Sequence, residues 1–223
     1  MRQFNHYEFT GILVPGAATL FGIASLYPDI FWAGTLTQIS FGGFGMFVIL
    51  AYILGHLIQA VGNLFESIWW IIWGGLPSDW LRTKPNRILA PNQVQRIQEL
   101  GHKRLGLEPF EINKLNAREW YAVTRQIFAA VESAGQAERI ETFNGNYGLN
   151  RGLCAGLLIV VLAGLTTNPV RYDIVTLAAL ATLIAAIRMH RFGRHYAREL
   201  FVRFLQLPSS DNGRKNVASN AEK

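Results

Sequence analysis

The stretch "LGHLIQAVGNLFE", residues 54–66, places four polar side chains inside a long apolar run. They are His56, Gln59, Asn63 and Glu66, at spacings of three, four and three residues. On an α-helix this spacing puts all four side chains on one face. A polar group in an apolar medium costs free energy unless it has a partner. The stretch therefore predicts a membrane helix whose polar face meets water or another helix.

The composition of the 223-residue chain is also typical of a membrane protein. Half of the residues are hydrophobic and only 16% are charged, whereas about 25% are charged in an ordinary soluble domain. Crossing a bilayer takes about 20 apolar residues in a helix, and such runs lie at roughly 10–27, 39–73, 152–167 and 172–189. We expect an all-α integral membrane protein with about four transmembrane helices, the second of them longer than the bilayer core is thick.

The basic residues predict the orientation of these spans. All of the 21 lysines and arginines except Arg171 precede the first span, lie at or after the end of the fourth, or lie between the second and third. Loops rich in Lys and Arg stay in the cytoplasm. Both termini and the middle segment are therefore expected to be cytoplasmic.

This reading divides the chain into five parts. They are a first transmembrane hairpin with a long second helix (1–76), a cytosolic helical segment (77–148), a second transmembrane hairpin (149–189), a basic cytosolic helix (190–207) and a disordered tail (208–223). Within the middle segment we predict one helix from Asn92, as N-cap, to about Leu100, stopped by Gly101. A longer helix is predicted from Ala117 to about Phe143, and "NGNYG" at 144–148 is predicted to break it before the third span.

The polar stripe has two interpretations that the sequence leaves open. His56, Gln59, Asn63 and Glu66 could hydrogen-bond to neighbouring helices, or they could line the pore or gate of a water-filled path. In a symmetric oligomer each residue would repeat as a ring, and a ring of glutamates favours cations. Pro15 in the first span predicts a bend in that helix, either for packing or for movement during gating.

The stripe does not predict a metal site or an active site. It offers one good zinc ligand, His56, where a zinc site needs three or four. No nucleophile motif or pair of acids accompanies the histidines. We therefore predict no catalytic residue, no metal and no cofactor, and do not expect an enzyme. An intramembrane enzyme acting on lipid would need a polar cluster from several spans, and only one span is rich in polar residues.

A basic face follows the fourth span. The stretch "IRMHRFGRHYARELFVRF", 187–204, places arginines on one helical face, with aromatic residues between them: Arg188, Arg191, Arg194 and Arg198. One interpretation is an inner-leaflet belt attracted to anionic lipid. The other is a site for phosphates or single-stranded nucleic acid, since Arg matches phosphate geometry and aromatic rings stack on bases. Tyr147 and Arg151, predicted at the same membrane boundary, are the further candidate ligand-binding residues.

Four strings carry a resemblance to a known family: "HYEFTGILVPGA", "GHLIQAVGN", "NYGLNRG" and "RMHRFGRHYAREL". On these strings the chain resembles the small transmembrane effectors of bacterial antiphage systems, in particular the membrane effector of the Hailong system. The resemblance covers roughly residues 6–205. The resemblance implies a homo-oligomeric channel in the bacterial inner membrane, for example a tetramer. It also implies a partner nucleotidyltransferase, encoded nearby, that makes single-stranded oligodeoxyadenylate. That DNA oligomer would hold the channel closed, and its loss would release ion flux and arrest the infected cell.

The first functional hypothesis is therefore an oligomeric membrane channel gated by a cytosolic nucleotide ligand, whose opening dissipates the membrane potential. The alternative is a non-conducting membrane scaffold that anchors a cytosolic partner through residues 77–148. In that alternative the polar stripe joins helices, and overexpression is harmless.

Overall fold

The computed structural model describes residues 9–31, 41–83 and 87–208, and every regular element in these ranges is helical. A π-helical turn, Phe9–Leu13, leads into α1 (Val14–Leu26). The other α-helices are α2 (Pro28–Phe31), α3 (Phe41–Ile72), α4 (Pro91–Leu105), α5 (Ala117–Ser133), α6 (Glu138–Leu165) and α7 (Tyr172–Gln206). Short 3₁₀ turns lie at Pro77–Leu81 and Ile112–Lys114. All of the predicted tail after residue 208, and most of the connection 28–38, lie outside the described residues.

Three helices are long and apolar enough to cross a membrane: α3, α6 and α7, with 32, 28 and 35 residues. The first predicted span is a shorter apolar helix, Thr10–Leu26. The helical fold is thus confirmed for the described residues, and three of the helices could span a membrane. The count of four spans and the cytoplasmic termini stay predictions. At 1.5 Å per residue α3 is about 48 Å long, and it runs unbroken to Ile72 before Gly74 and Gly75 take positive φ values of 80° and 100°.

The chain forms two compact units. The first unit combines the residues up to Trp73 with Phe143–Gly193, and the second combines Gly74–Thr142 with the residues from Arg194 onward. The sequence analysis divides the chain after residues 76 and 148, and the units of the structure divide after residues 73 and 142. The last turns of α7 belong to the second unit.

In the first unit, glycines bring helix backbones into direct contact. A Cβ atom on Gly16 of α1 would overlap the carbonyl oxygen of Ala51 on α3, and one on Gly55 would overlap that of Ile12. On α6, a Cβ on Gly156 would overlap the hydroxyl of Thr19. Small residues at interfaces are the usual means by which membrane helices approach closely.

The second unit has its own hydrophobic core. Trp120 of α5 is buried, stacks on Phe201 at 5.8 Å between ring centroids, and donates its indole N–H to the Ser78 carbonyl at 3.0 Å. The residues Ile97, Ile127, Leu200 and Phe204 are completely buried as well. The apolar face of the basic helix after the fourth predicted span therefore packs inside this unit.

Arg104 of α4 closes the end of α7. It donates to the carbonyl oxygen of Phe204 at 2.8 Å and also to that of Leu207. The Phe204 carbonyl accepts the Leu207 N–H as well, at 3.4 Å, so Arg104 adds a donor at the helix end, where backbone donors are few. Burial, and then the positive charge of Arg96, lowers the pKa of the Arg104 guanidinium.

The predicted bounds of the α4 helix were wrong. The helix begins at Pro91, where the Ala90 N–H donates to the Gln93 side chain at 3.0 Å, and Asn92 lies in its first turn. Gly101 does not stop it, because the helix runs to Leu105 and ends at Gly106, whose φ is 65°. Gly101 is instead required by packing, since the Phe110 ring lies 2.9 Å from where a Cβ would be.

The break predicted at 144–148 was also misplaced. α5 ends at Ser133, where Gly135 takes a φ of 70° and the Gln136 N–H donates back to the Val131 carbonyl at 3.1 Å. α6 then runs from Glu138 straight through "NGNYG". A glycine inside a helix costs only about 1 kcal/mol, and tertiary contacts of the Tyr147 ring outweigh that preference.

Candidate functional site

The polar stripe of α3 divides into two columns. Seven residues bring a helix back to within about 20° of the same direction. His56 and Asn63 therefore share one direction, and Gln59 and Glu66 share another about 60° away. His56 and Asn63 are exposed, whereas Gln59 and Glu66 are half-buried. The single polar face expected from the sequence is thus two surfaces with different surroundings.

Gln59 and Glu66 meet α6 through Arg151. One terminal nitrogen of Arg151 donates to the Glu66 carboxylate at 2.5 Å, and the other donates to the Gln59 side-chain oxygen at 2.8 Å. The Arg151 and Glu66 side chains are 16% and 20% exposed, so the ion pair is largely removed from solvent. Gly62 leaves room for Arg151, whose side chain would lie 3.4 Å from a Cβ at that position.

Tyr147, one helical turn before Arg151, extends these contacts. Its hydroxyl accepts the indole N–H of Trp70, on α3, at 2.7 Å. We call Gln59, Glu66, Tyr147 and Arg151 the polar network. The network links two helices that are each long enough to cross a membrane.

The polar network also reaches the first apolar helix. The Gln59 amide N–H donates to the backbone carbonyl of Gly11, inside the π-helical turn. The α6 residue Gly152 lies at the same place, because a Cβ there would be 2.8 Å from the Pro15 ring and 2.9 Å from the Gln59 amide nitrogen.

The other surface is a column of exposed polar residues, Tyr52, His56, Asn63 and Ser67, which we call the exposed column. The Tyr52 and His56 rings meet edge to face at 4.7 Å, and the Ser67 hydroxyl donates to the Asn63 carbonyl at 2.9 Å. Within the described residues, nothing hydrogen-bonds to the side chains of Tyr52, His56 or Asn63. Beside this column α3 exposes large apolar side chains, among them Ile53, Leu57, Leu64 and Ile71.

An aromatic cluster lies at the end of α3. His190 of α7 has its ring centroid 4.5 Å from Trp73 and 5.1 Å from Trp70, and it receives the Trp69 indole N–H at 3.4 Å. Indole rings of this kind are frequent at membrane interfaces. A cluster of this composition at the end of α3 is therefore typical of the interfacial end of a membrane helix.

The residues predicted to bind an anionic ligand have two different settings. The arginines of α7 are exposed: Arg188, Arg191, Arg194 and Arg198. The guanidinium of Arg188 also lies over the Phe192 ring, 5.3 Å from its centroid. Tyr147 and Arg151 instead direct their polar atoms at α3 residues, as described above. Arg151 thus already has an anionic partner inside the protein.

The sequence missed several members of these groups. Nothing singled out Tyr52 and Ser67, although their spacing from His56 and Asn63 is helical. Arg151 is predicted from the sequence to bind a ligand, whereas the structure pairs it with Glu66. That pairing joins positions 85 apart in the chain, so local spacing does not reveal it. In the described part of the chain, no group of three or more His, Cys, Asp or Glu residues is placed to hold a metal ion.

Comparison with known proteins finds no matching family model, no matching curated protein and no matching solved structure.

Proposed function

We propose that this protein is a homo-oligomeric channel of the bacterial inner membrane, with cytoplasmic termini, that acts as an effector of antiphage defence. The exposed column carries the channel part of this proposal. Tyr52, His56 and Asn63 present hydrogen-bonding groups on a helix long enough to cross a membrane, and no described residue satisfies them.

Facing lipid, these groups would each remain unsatisfied at a cost of several kcal/mol. Facing water in a pore, they would be solvated at no such cost. A pore wall made of one helix face needs further copies of that helix, so several protomers would surround the path and repeat Asn63 and His56 as rings. The large apolar side chains on the adjoining surface of α3 would then face lipid or a neighbouring protomer.

The defence role and its ligand come from the resemblance to the Hailong membrane effector. In that proposal, single-stranded oligodeoxyadenylate, made by a nucleotidyltransferase encoded nearby, holds the channel closed. The exposed arginines of α7 support an anionic ligand of this class. Loss of the ligand opens the channel, dissipates the membrane potential and arrests the infected cell. Ligand control requires that the oligomer bind one state of the channel more tightly than the other.

Ion flux across liposomes tests the proposal. Purified protein is reconstituted with and without short oligodeoxyadenylate, and its insertion and oligomeric size are verified separately. We expect flux that the oligonucleotide suppresses, and we expect Asn63→Leu to reduce it while oligomeric size is unchanged. Leu64→Ala, at the neighbouring apolar position, is the matched control. Unaltered flux in Asn63→Leu would remove the exposed column from the path.

A membrane scaffold is the second candidate function. The separate hydrophobic core of the second unit favours it, because such a unit provides a folded surface for a partner. A scaffold predicts no flux under any ligand condition and no toxicity on overexpression. Absence of flux from protein shown to be inserted and oligomeric would therefore favour the scaffold over the channel.

A further inference from the structure

Pro15 leaves one backbone carbonyl of the first apolar helix without its usual donor. In an α-helix the N–H of residue i donates to the carbonyl of residue i−4, so the α-helical donor for Gly11 would be residue 15. Proline has no N–H. In the bilayer core such a carbonyl must find another partner, since each unsatisfied group costs several kcal/mol.

Gln59 of α3 supplies the missing donor. Its amide N–H donates to the Gly11 carbonyl, the one acceptor that Pro15 cannot serve. The same turn is π-helical over Phe9–Leu13, and α1 begins immediately after it with Pro15 in its first turn. A π-helical turn widens the backbone and is frequently found at functional positions.

Arg151 determines which end of the Gln59 amide faces Gly11. It donates to the amide oxygen at 2.8 Å, so the amide NH₂ group is the end directed at the Gly11 carbonyl. Arg151 is held in turn by Glu66 at 2.5 Å. A chain of contacts therefore runs from an ion pair between α3 and α6 to one backbone atom of the first helix.

We propose that Gln59 is a releasable clamp that holds the first apolar helix against α3 at Gly11, and that Arg151 is the residue that positions it. Releasing the clamp removes the Gln59 donor from the Gly11 carbonyl and loosens the π-helical turn. Helical hydrogen bonds near the start of the first helix then open locally, although Gly16 and Gly55 still hold its backbone against α3. This inference concerns the fold of one protomer and does not depend on the proposed channel.

A double-mutant cycle with Pro15→Ala tests the clamp. The full chain in lipid nanodiscs is followed by amide hydrogen exchange over residues 12–18. Hydrogen bonds between membrane helices contribute about 0.6 kcal/mol on average and up to about 1.7, so Gln59→Leu should accelerate exchange by roughly 3-fold to 16-fold. In the P15A background the backbone N–H returns to Gly11, and the same substitution should change exchange by less than about twofold.

Two further variants keep the test decisive. Gln59→Glu retains the acceptor for Arg151 and, while its carboxylate is ionised, removes the donor, so at alkaline pH it should accelerate exchange as Gln59→Leu does. Asn63→Leu removes an amide from the exposed column of the same helix and should leave residues 12–18 unchanged. Equal acceleration by Gln59→Leu in both backgrounds, or protection retained in Gln59→Glu, would overturn the clamp.

Discussion

Arg151→Met is the substitution that most directly probes the polar network. Methionine keeps much of the length and apolar volume of the side chain but removes the charge and both hydrogen bonds. Glu66 would then hold a carboxylate at 20% exposure without its cation, and Gln59 would lose the donor to its amide oxygen. The helices α3 and α6 would lose the ion pair that joins them.

The expected cost follows from this burial. Removing one partner of a buried ion pair costs about 3–5 kcal/mol, because the other charge is left uncompensated. The Arg151 and Glu66 side chains are still 16% and 20% exposed, which places the cost near the lower end of that range. We therefore expect Arg151→Met to destabilise the protein by about 3 kcal/mol. Adding Glu66→Gln removes the stranded charge and should restore about half of that loss or more. The two substitutions should therefore be strongly non-additive.

The measurement is reversible unfolding of the full chain in mixed micelles, titrated with SDS and followed by tryptophan fluorescence and ellipticity. Arg188→Met is the control, since Arg188 is exposed and its guanidinium lies over the aromatic ring of Phe192. We expect the control to cost less than about 1 kcal/mol. If Arg151→Met costs as little as the control, or if adding Glu66→Gln makes the protein less stable still, the ion pair does not stabilise the packing of α3 on α6.

Three further outcomes are expected. Phe201→Ala empties a completely buried site in the second unit and should lower its stability by about 3–5 kcal/mol, seen as faster hydrogen exchange over residues 117–133. Gly16→Ala should destabilise the first unit by about 1–3 kcal/mol through overpacking against a backbone carbonyl, lowering the thermal midpoint. Gly45→Ala, with open space around it, should not lower that midpoint and should raise it slightly, since alanine is favoured over glycine inside a helix. Arg191→Glu with Arg194→Glu should weaken oligodeoxyadenylate binding and reduce its salt dependence by about one unit of slope per lost contact, measured by fluorescence anisotropy. Unaltered affinity would favour the lipid-belt interpretation.

Local preferences failed where tertiary contacts outweighed them. Gly101 and the glycines of "NGNYG" are ordinary helix-ending signals, and both sit inside helices here. Each costs only about 1 kcal/mol within a helix. The Phe110 ring packs directly against Gly101, and the Tyr147 ring of the other stretch stacks on Trp70. Gly135 does end a helix, because it takes the positive φ that a helix C-terminus requires.

The sequence by itself determined the helical, membrane-type architecture. Continuous apolar runs of about 20 residues with few charges favour helices in lipid, since intrahelical hydrogen bonds satisfy the backbone groups within the segment. It also identified His56, Gln59, Asn63 and Glu66 as the exceptional polar positions of α3. Their periodicity is a local property, so it can be read without knowing what surrounds the helix.

Only the tertiary structure decided which of those positions are satisfied. Arg151 lies 85 residues from Glu66 in the chain, and no local pattern predicts that pairing. The need of Gly11 for a donor can be inferred from Pro15, four residues later, but that Gln59 supplies it depends on how α3 packs beside that turn. The division into a bonded network and an exposed column follows from contacts between distant segments, which periodicity does not encode.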